Sequence, residues 1–253
     1  MRVFVEKAVL FLHAFPLNSE MYCHQFDFLE KEGIPYIAVD YPGFGNERNF
    51  PSEYTVETLT DIIIGKVKDF GVKKLIPVGD SMGGYVMFDI WRRYPEVVDG
   101  FVFVSTRAEA DTEEAKKARY ATIEKVQKEG KDFLIDFMLD AQTSPTTKKD
   151  NKKMEKLRCI MEQATEEGII KALKALADRP DNTGLLPSIN IPTVVIAGKD
   201  DEKVTPPDIV RKIAEGITGS KFIEIENSAH LPPFENPEMF NKILLEFIKG
   251  IWR

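Results

Sequence analysis

Leu75-Ile76-Pro77-Val78-Gly79-Asp80-Ser81-Met82-Gly83-Gly84 reads as a buried strand that turns sharply into a helix, with a serine at the apex. A side chain on such a turn projects its hydroxyl only from a strained backbone angle, so small residues are needed two positions to either side. Gly79 and Gly83 supply them, and Gly84 lets the following helix pack closely. Ser81 is thereby marked as a candidate nucleophile.

A serine hydroxyl is a weak nucleophile at neutral pH, so this reading requires a base, an orienting carboxylate and donors for a developing oxyanion elsewhere in the chain. Of the three histidines, His13, His24 and His230, only His230 follows a late strand-like run, Lys221 to Ile225, and precedes a C-terminal amphipathic segment. Functional side chains are commonly displayed on such loops. Between serine and histidine, the apolar run Thr193 to Ala197 ends in Gly198-Lys199-Asp200-Asp201, which offers two adjacent acids. The order serine, aspartate, histidine differs from that of the chymotrypsin and subtilisin folds and matches the order found where a serine sits on a strand-to-helix elbow.

The chain resembles α/β-hydrolase-fold carboxylesterases, the group that includes bacterial arylesterases, cofactor-independent perhydrolases and enol-lactonases. The resemblance runs nearly end to end. It is carried by His13-Ala14-Phe15-Pro16-Leu17, Asp40-Tyr41-Pro42-Gly43-Phe44-Gly45, the elbow at 79–84, Gly198-x-x-Asp201 and Ala229-His230, five motifs in the same order. It implies a catalytic triad of Ser81, Asp201 and His230, with Asp201 selected over Asp200 by the Gly-x-x-Asp spacing. It also implies an oxyanion hole made by the backbone N–H groups of Phe15 and Met82, with His13 supporting the loop and taking no part as a base. Where relatives have His-Gly this chain has His13-Ala14, and where they often have His or Asn before the nucleophile it has Asp80. Asp80 is expected to serve as a structural hydrogen-bond partner.

The implied activity is hydrolysis of small to medium carboxylic esters through an acyl-enzyme. Enol-lactonase, perhydrolase and carbon–carbon bond hydrolase chemistry are alternatives that use the same triad, and a small-molecule sensor with slow hydrolase activity is an alternative of another class. Dehalogenases and epoxide hydrolases of this fold are disfavoured, because they need an aspartate where Ser81 stands. No metal or organic cofactor is called for.

Composition fits this reading. With 253 residues, 43% of them hydrophobic, the chain can bury one large core. A formal net charge of −7 leaves no basic surplus to neutralise phosphates, so no nucleic-acid partner is expected. The pairs Lys148-Lys149 and Lys152-Lys153 read as a solvated helix face. Cys23 and Cys159 are far apart and suggest neither a disulfide framework nor a metal site. No secretory signal or membrane-spanning run is visible at the sequence level, which leads us to expect a cytoplasmic monomer or small homo-oligomer without membrane partners.

Strand-like and helix-period segments alternate along the chain, the pattern of an α/β protein with a mostly parallel central sheet flanked by helices. Strands are expected at 8–12, 36–39, 75–78, 101–104, 193–197 and 221–225. Arg2 to Val5 adds one short edge strand at most, giving a sheet of seven strands or fewer. The alternation stops between 108 and 186, where only helix-forming sequence is found. The expected organisation is therefore an α/β-hydrolase core formed by 1–107 and 187–253, with 108–186 as an inserted helical cap.

Overall fold

The computed structural model describes residues 6–252, so the segment Arg2 to Val5 lies outside the described residues. In chain order the elements are β1 (Lys7–Leu12), α1 (Cys23–Glu32), β2 (Tyr36–Val39), α2 (Val56–Asp69), β3 (Lys74–Asp80), α3 (Met82–Arg93) and β4 (Phe101–Val104). Then come α4 (Glu113–Glu129), α5 (Asp132–Gln142), α6 (Asn151–Glu162), α7 (Glu166–Ala177), β5 (Thr193–Gly198), α8 (Pro207–Gly216), β6 (Lys221–Ile225), α9 (Pro232–Glu235) and α10 (Pro237–Ile251). All six expected strands form, and they pair in the order β2-β1-β3-β4-β5-β6, every pair parallel.

Local chemistry sets the helix boundaries. Thr55 and Thr58 form a reciprocal capping pair at the start of α2, each side chain accepting from the other's backbone N–H at 3.2 and 2.9 Å. Gly33, in the left-handed region at φ 67°, ends α1. Before α1 the chain forms a 3-10 turn, Ser19–Tyr22, capped by Asn18, and α geometry starts only at Cys23.

Because side chains alternate along a strand, the sheet has two buried faces. Leu10, Leu12, Phe103 and Val195 pack on one side with Ile63 of α2, Val86 of α3 and Ile213 of α8. Val9, Phe11, Ile76 and Val102 pack on the other with Leu29 of α1 and Phe240 and Leu244 of α10. The chain leaves β1 for β2 on one side and returns to β3 on the other, so the loops after β1 and β3 diverge around a crevice. Such a switch point is where open parallel sheets place ligands. Leu12 pairs with Gly79, which sets the ends of β1 and β3 side by side.

The four helices between β4 and β5 have no core of their own among the described residues. Ile123 and Val126 of α4 and Ile169 of α7 join the first apolar cluster, whereas Ile135 of α5 and Leu157 and Met161 of α6 join the second. These helices pack tightly against the loop after β2 at Gly168 and Gly43, where a Cβ on Gly168 would lie 2.7 Å from the Gly43 Cα. Thr165 N–H also donates to the Gly43 carbonyl at 2.8 Å. No helix among the described residues is long and apolar enough to cross a membrane.

An alanine in mid-helix normally stabilises relative to glycine by up to about 1 kcal/mol. At Gly168 the sign should reverse, because the new methyl meets backbone that cannot move aside, and overpacking of this kind costs about 1–3 kcal/mol. Gly65 in α2 has nothing within 4 Å of an added Cβ and provides the control. Urea denaturation should show Gly168→Ala less stable than the natural chain and Gly65→Ala at least as stable.

Candidate active site

Ser81 sits at the end of β3 with φ 52° and ψ −108°, a conformation few non-glycine residues adopt. The strain, about 1–3 kcal/mol, is held by the surroundings. Ser81 N–H donates to the Val104 carbonyl at 2.9 Å, and the Ser81 carbonyl accepts from Gly84 N–H at 3.0 Å and from the Thr106 hydroxyl at 2.7 Å. A Cβ on Gly79 would lie 2.6 Å from the Gly83 carbonyl carbon, one on Gly83 would strike the Leu12 carbonyl, and one on Gly84 would strike Thr106. The small residues flanking the serine are therefore sterically required. Ser81 is part-exposed although the strand end and helix start around it are buried.

The loops after β5 and β6 meet at Gly198, where a side chain would collide with the Ala229 and Ser228 carbonyls. Asp200 N–H donates to the Ser228 carbonyl at 2.8 Å, which fixes the local turn and directs the next side chain inward. Asp201 is the acid that meets the histidine: its Oδ2 lies 2.7 Å from His230 Nδ1. The same carboxylate accepts from the N–H groups of Val204 and Thr205, both at 3.1 Å. Burial acts to raise the Asp201 pKa, but the His230 imidazole and the two backbone donors outweigh it and hold the group below the ordinary carboxylate value. His230 is fully buried. With Nδ1 engaged by the carboxylate, Nε2 is left as the free ring nitrogen, and it has no hydrogen-bond partner among the described residues. The structure thus joins Asp201 to His230 and leaves the Ser81 hydroxyl unbonded to either.

On the other side of the crevice, His13 Nδ1 donates to the Ala14 carbonyl at 3.0 Å and Nε2 accepts from Tyr41 N–H at 3.1 Å. Both ring nitrogens are used by backbone. Burial lowers the His13 pKa to about 4 against a backbone hydrogen bond and the nearby Asp40 carboxylate, so the ring is neutral at physiological pH. Ala14 O also accepts from Leu17 N–H at 2.9 Å. Neither Phe15 N–H nor Met82 N–H donates to a protein group among the described residues, and Met82 is the first residue of α3, where the helix dipole favours an anion.

Three residues essential to this arrangement escaped the sequence reading. Glu235 is buried and accepts from Ala229 N–H at 2.7 Å, Leu231 N–H at 3.3 Å and Ser144 N–H at 2.7 Å, bracketing His230 and tying its loop to the inserted helices. Gln142 contributes a backbone carbonyl to His230 N–H at 3.0 Å and a side-chain amide to the Phe15 carbonyl at 2.8 Å. A glutamate directly after the apolar stretch Leu231-Pro232-Pro233-Phe234 was the one available signal. Nothing local marks Gln142 or Ser144.

The expectation for Asp80 is overturned. Its side chain follows Ile76 and Val78 onto the second face of the sheet, is fully buried, and neither carboxyl oxygen has a hydrogen-bond partner among the described residues. Burial, reinforced by the negative charges of Asp201 and Glu235, pushes its pKa well above the ordinary value. Among the described residues no three His, Cys, Asp or Glu side chains are grouped to hold a metal ion.

A family model described as alpha/beta hydrolase fold matches residues 7–237. A solved thermophilic esterase from Thermogutta terrifontis superposes with a TM-score of 0.92 at 33% identity, covering 97% of this chain and 90% of that one. Among curated sequences, the AB hydrolase superfamily protein YisY of Bacillus subtilis is 28% identical over 95% of this chain and 91% of its own length. The bifunctional esterase/perhydrolase DCH of Acinetobacter calcoaceticus is 24% identical over 96% and 91%.

The buried Asp80 has a measurable thermodynamic signature. Its folded-state pKa is raised above the unfolded value of about 3.9, so the folded chain binds the extra proton. The resulting contribution to stability is full below that unfolded value and is lost as pH rises toward the folded one. Asp80→Asn removes this dependence. Calorimetric melting at a series of pH values should show the variant gaining on the natural chain as pH rises above about 4; a difference that does not change with pH would mean that Asp80 has no raised pKa in the fold.

Proposed function

The chain belongs to the alpha/beta hydrolase fold family, and from that premise we propose that it is a serine carboxylic-ester hydrolase with Ser81 as nucleophile, His230 as general base and Asp201 as its orienting acid. The observation that supports the reading is the buried 2.7 Å contact between Asp201 and His230 Nδ1, which leaves Nε2 without a partner among the described residues. Catalytic hydrogen bonds of the serine–histidine type commonly tighten only when substrate is bound.

In the proposed cycle the ester carbonyl enters the crevice between the loops after β1 and β3. Ser81 Oγ attacks the carbonyl carbon while its proton passes to His230 Nε2, and Asp201 stabilises the imidazolium. The carbonyl oxygen, now negative, is received by the N–H groups of Phe15 and Met82. His230 returns the proton to the departing alcohol, leaving an acyl-Ser81. Water, deprotonated by the same imidazole, then attacks the acyl group and Ser81 leaves with the proton. Residues 108–186 act as the cap that shapes the acyl and alcohol sites. The substrate is a small-molecule ester, open-chain or cyclic, since a lactone presents the same carbonyl to the same groups. No step needs a metal or organic cofactor.

The experiment is a panel of chromogenic esters and lactones of graded size, measured on the natural chain and on triad variants. Ser81→Ala and His230→Ala should each lose on the order of 10⁶-fold in kcat and Asp201→Asn on the order of 10⁴-fold, with the fold intact. Retained turnover in Ser81→Ala would refute the mechanism. Turnover negligible on every ester by the natural chain would instead favour a ligand sensor.

The pH dependence is a separate check. Because an imidazolium cannot accept the serine proton, kcat/KM should fall on the acid side with a single protonation. A rate unchanged from acid to alkaline pH is incompatible with His230 as base.

A further inference from the structure

Gln142, the last residue of α5, is fully buried and lies in the inserted segment, 127 positions along the chain from the residue its side chain holds. Its Nε2 donates to Phe15 O at 2.8 Å, while its own backbone carbonyl accepts from His230 N–H at 3.0 Å. One residue of the insertion therefore grips the loop after β1 with its side chain and the loop after β6 with its main chain.

The side-chain bond matters because of what precedes and follows Phe15. The peptide plane on its N-terminal side is fixed through the Ala14 carbonyl, which takes the His13 Nδ1–H and the Leu17 N–H. The plane on its C-terminal side runs into Pro16, which has no N–H to offer. The only polar handle on that plane is the Phe15 carbonyl, and among the described residues Gln142 Nε2 is the one donor to it. With both planes pinned, the Phe15 N–H is held in one direction without an acceptor of its own. We propose that Gln142 is a positioning residue for the oxyanion hole, supplied by the helices between β4 and β5, and that its amide, by holding the Phe15 carbonyl, keeps the Phe15 N–H aligned with the developing oxyanion.

The inference rests on the ester-hydrolase reading above, with Phe15 as one oxyanion donor. Hydrogen-bonded partners that orient metal ligands typically matter by about 10- to 100-fold, and a group that orients an oxyanion donor is expected to act on that scale, below the roughly 100- to 1,000-fold cost of losing the donor outright. Substitution at 142 spares the backbone carbonyl, so the bond to His230 N–H remains and the test isolates the amide.

The experiment compares the natural chain, Gln142→Leu, Gln142→Glu and Ser81→Ala on one chromogenic ester, together with inhibition by a trifluoromethyl ketone, whose serine adduct carries the oxyanion. Gln142→Leu should lose about 10- to 100-fold in kcat with KM nearly unchanged, and its affinity for the ketone should fall by a similar factor. In Gln142→Glu the ionised carboxylate cannot donate to Phe15 O, but the protonated acid can. The ratio of its kcat to that of the natural chain should therefore rise as pH is lowered from 8 to 5, a readout that also serves if the leucine variant does not fold. Unchanged kcat and ketone affinity in a folded Gln142→Leu, an effect confined to KM, or a pH-independent ratio for Gln142→Glu would each overturn the proposal. Full turnover by Ser81→Ala would overturn the underlying hydrolase reading and this inference with it, whereas loss in Ser81→Ala beside a fully active Gln142→Leu would reject the inference alone.

Discussion

The backbone at Ser81 cannot relax, and the architecture around the crevice follows from that. A left-handed serine between a strand and a helix persists only if neighbouring groups over-determine it, at a cost of about 1–3 kcal/mol. The Val104 carbonyl, the Thr106 hydroxyl and the Leu12 main chain hold the turn from three sides. Each belongs to a neighbouring strand or the residues just beyond it. The parallel register that brings the ends of β1, β3 and β4 level is thus a precondition of the serine's conformation, and the same register sets the His13 loop against the start of α3.

Three carboxyl groups share the interior beside this turn, and hydrogen bonding separates their behaviour. Removing a carboxylate from water costs several kcal/mol, whereas a hydrogen bond to a charged group returns about 1.5–3 kcal/mol. Asp201 has two backbone donors and the imidazole, and Glu235 has three backbone donors. Asp80 has none, and its pKa is pushed well above the ordinary carboxylate value. The carboxylate favoured in its charged form behind His230 is therefore Asp201, where it can stabilise an imidazolium.

The sequence made visible what local chemistry determines. Strands appeared as short apolar runs and the elbow as a spacing of glycines, because each depends on residues within a few positions. Asp201 was separated from Asp200 only through resemblance; in the fold the distinction comes from a turn that sends one side chain inward. The same limit explains the error at Asp80, whose residue type suggested hydrogen bonding while its strand position buried it among apolar neighbours. Gln142 and Ser144 were illegible for a different reason. Their partners lie 127 and 91 positions away respectively, and what they do is join loops that no local pattern relates.

Segment 142–144 fastens the inserted helices to the histidine loop through Gln142 and Ser144, and Gly168 fastens them to Gly43. This insertion is consequently not an interchangeable module. Recombining it with the corresponding segment of a relative would have to carry Gln142, Ser144 and their loop partners together, since a transplant that matched only length and helical content would arrive without the fastenings.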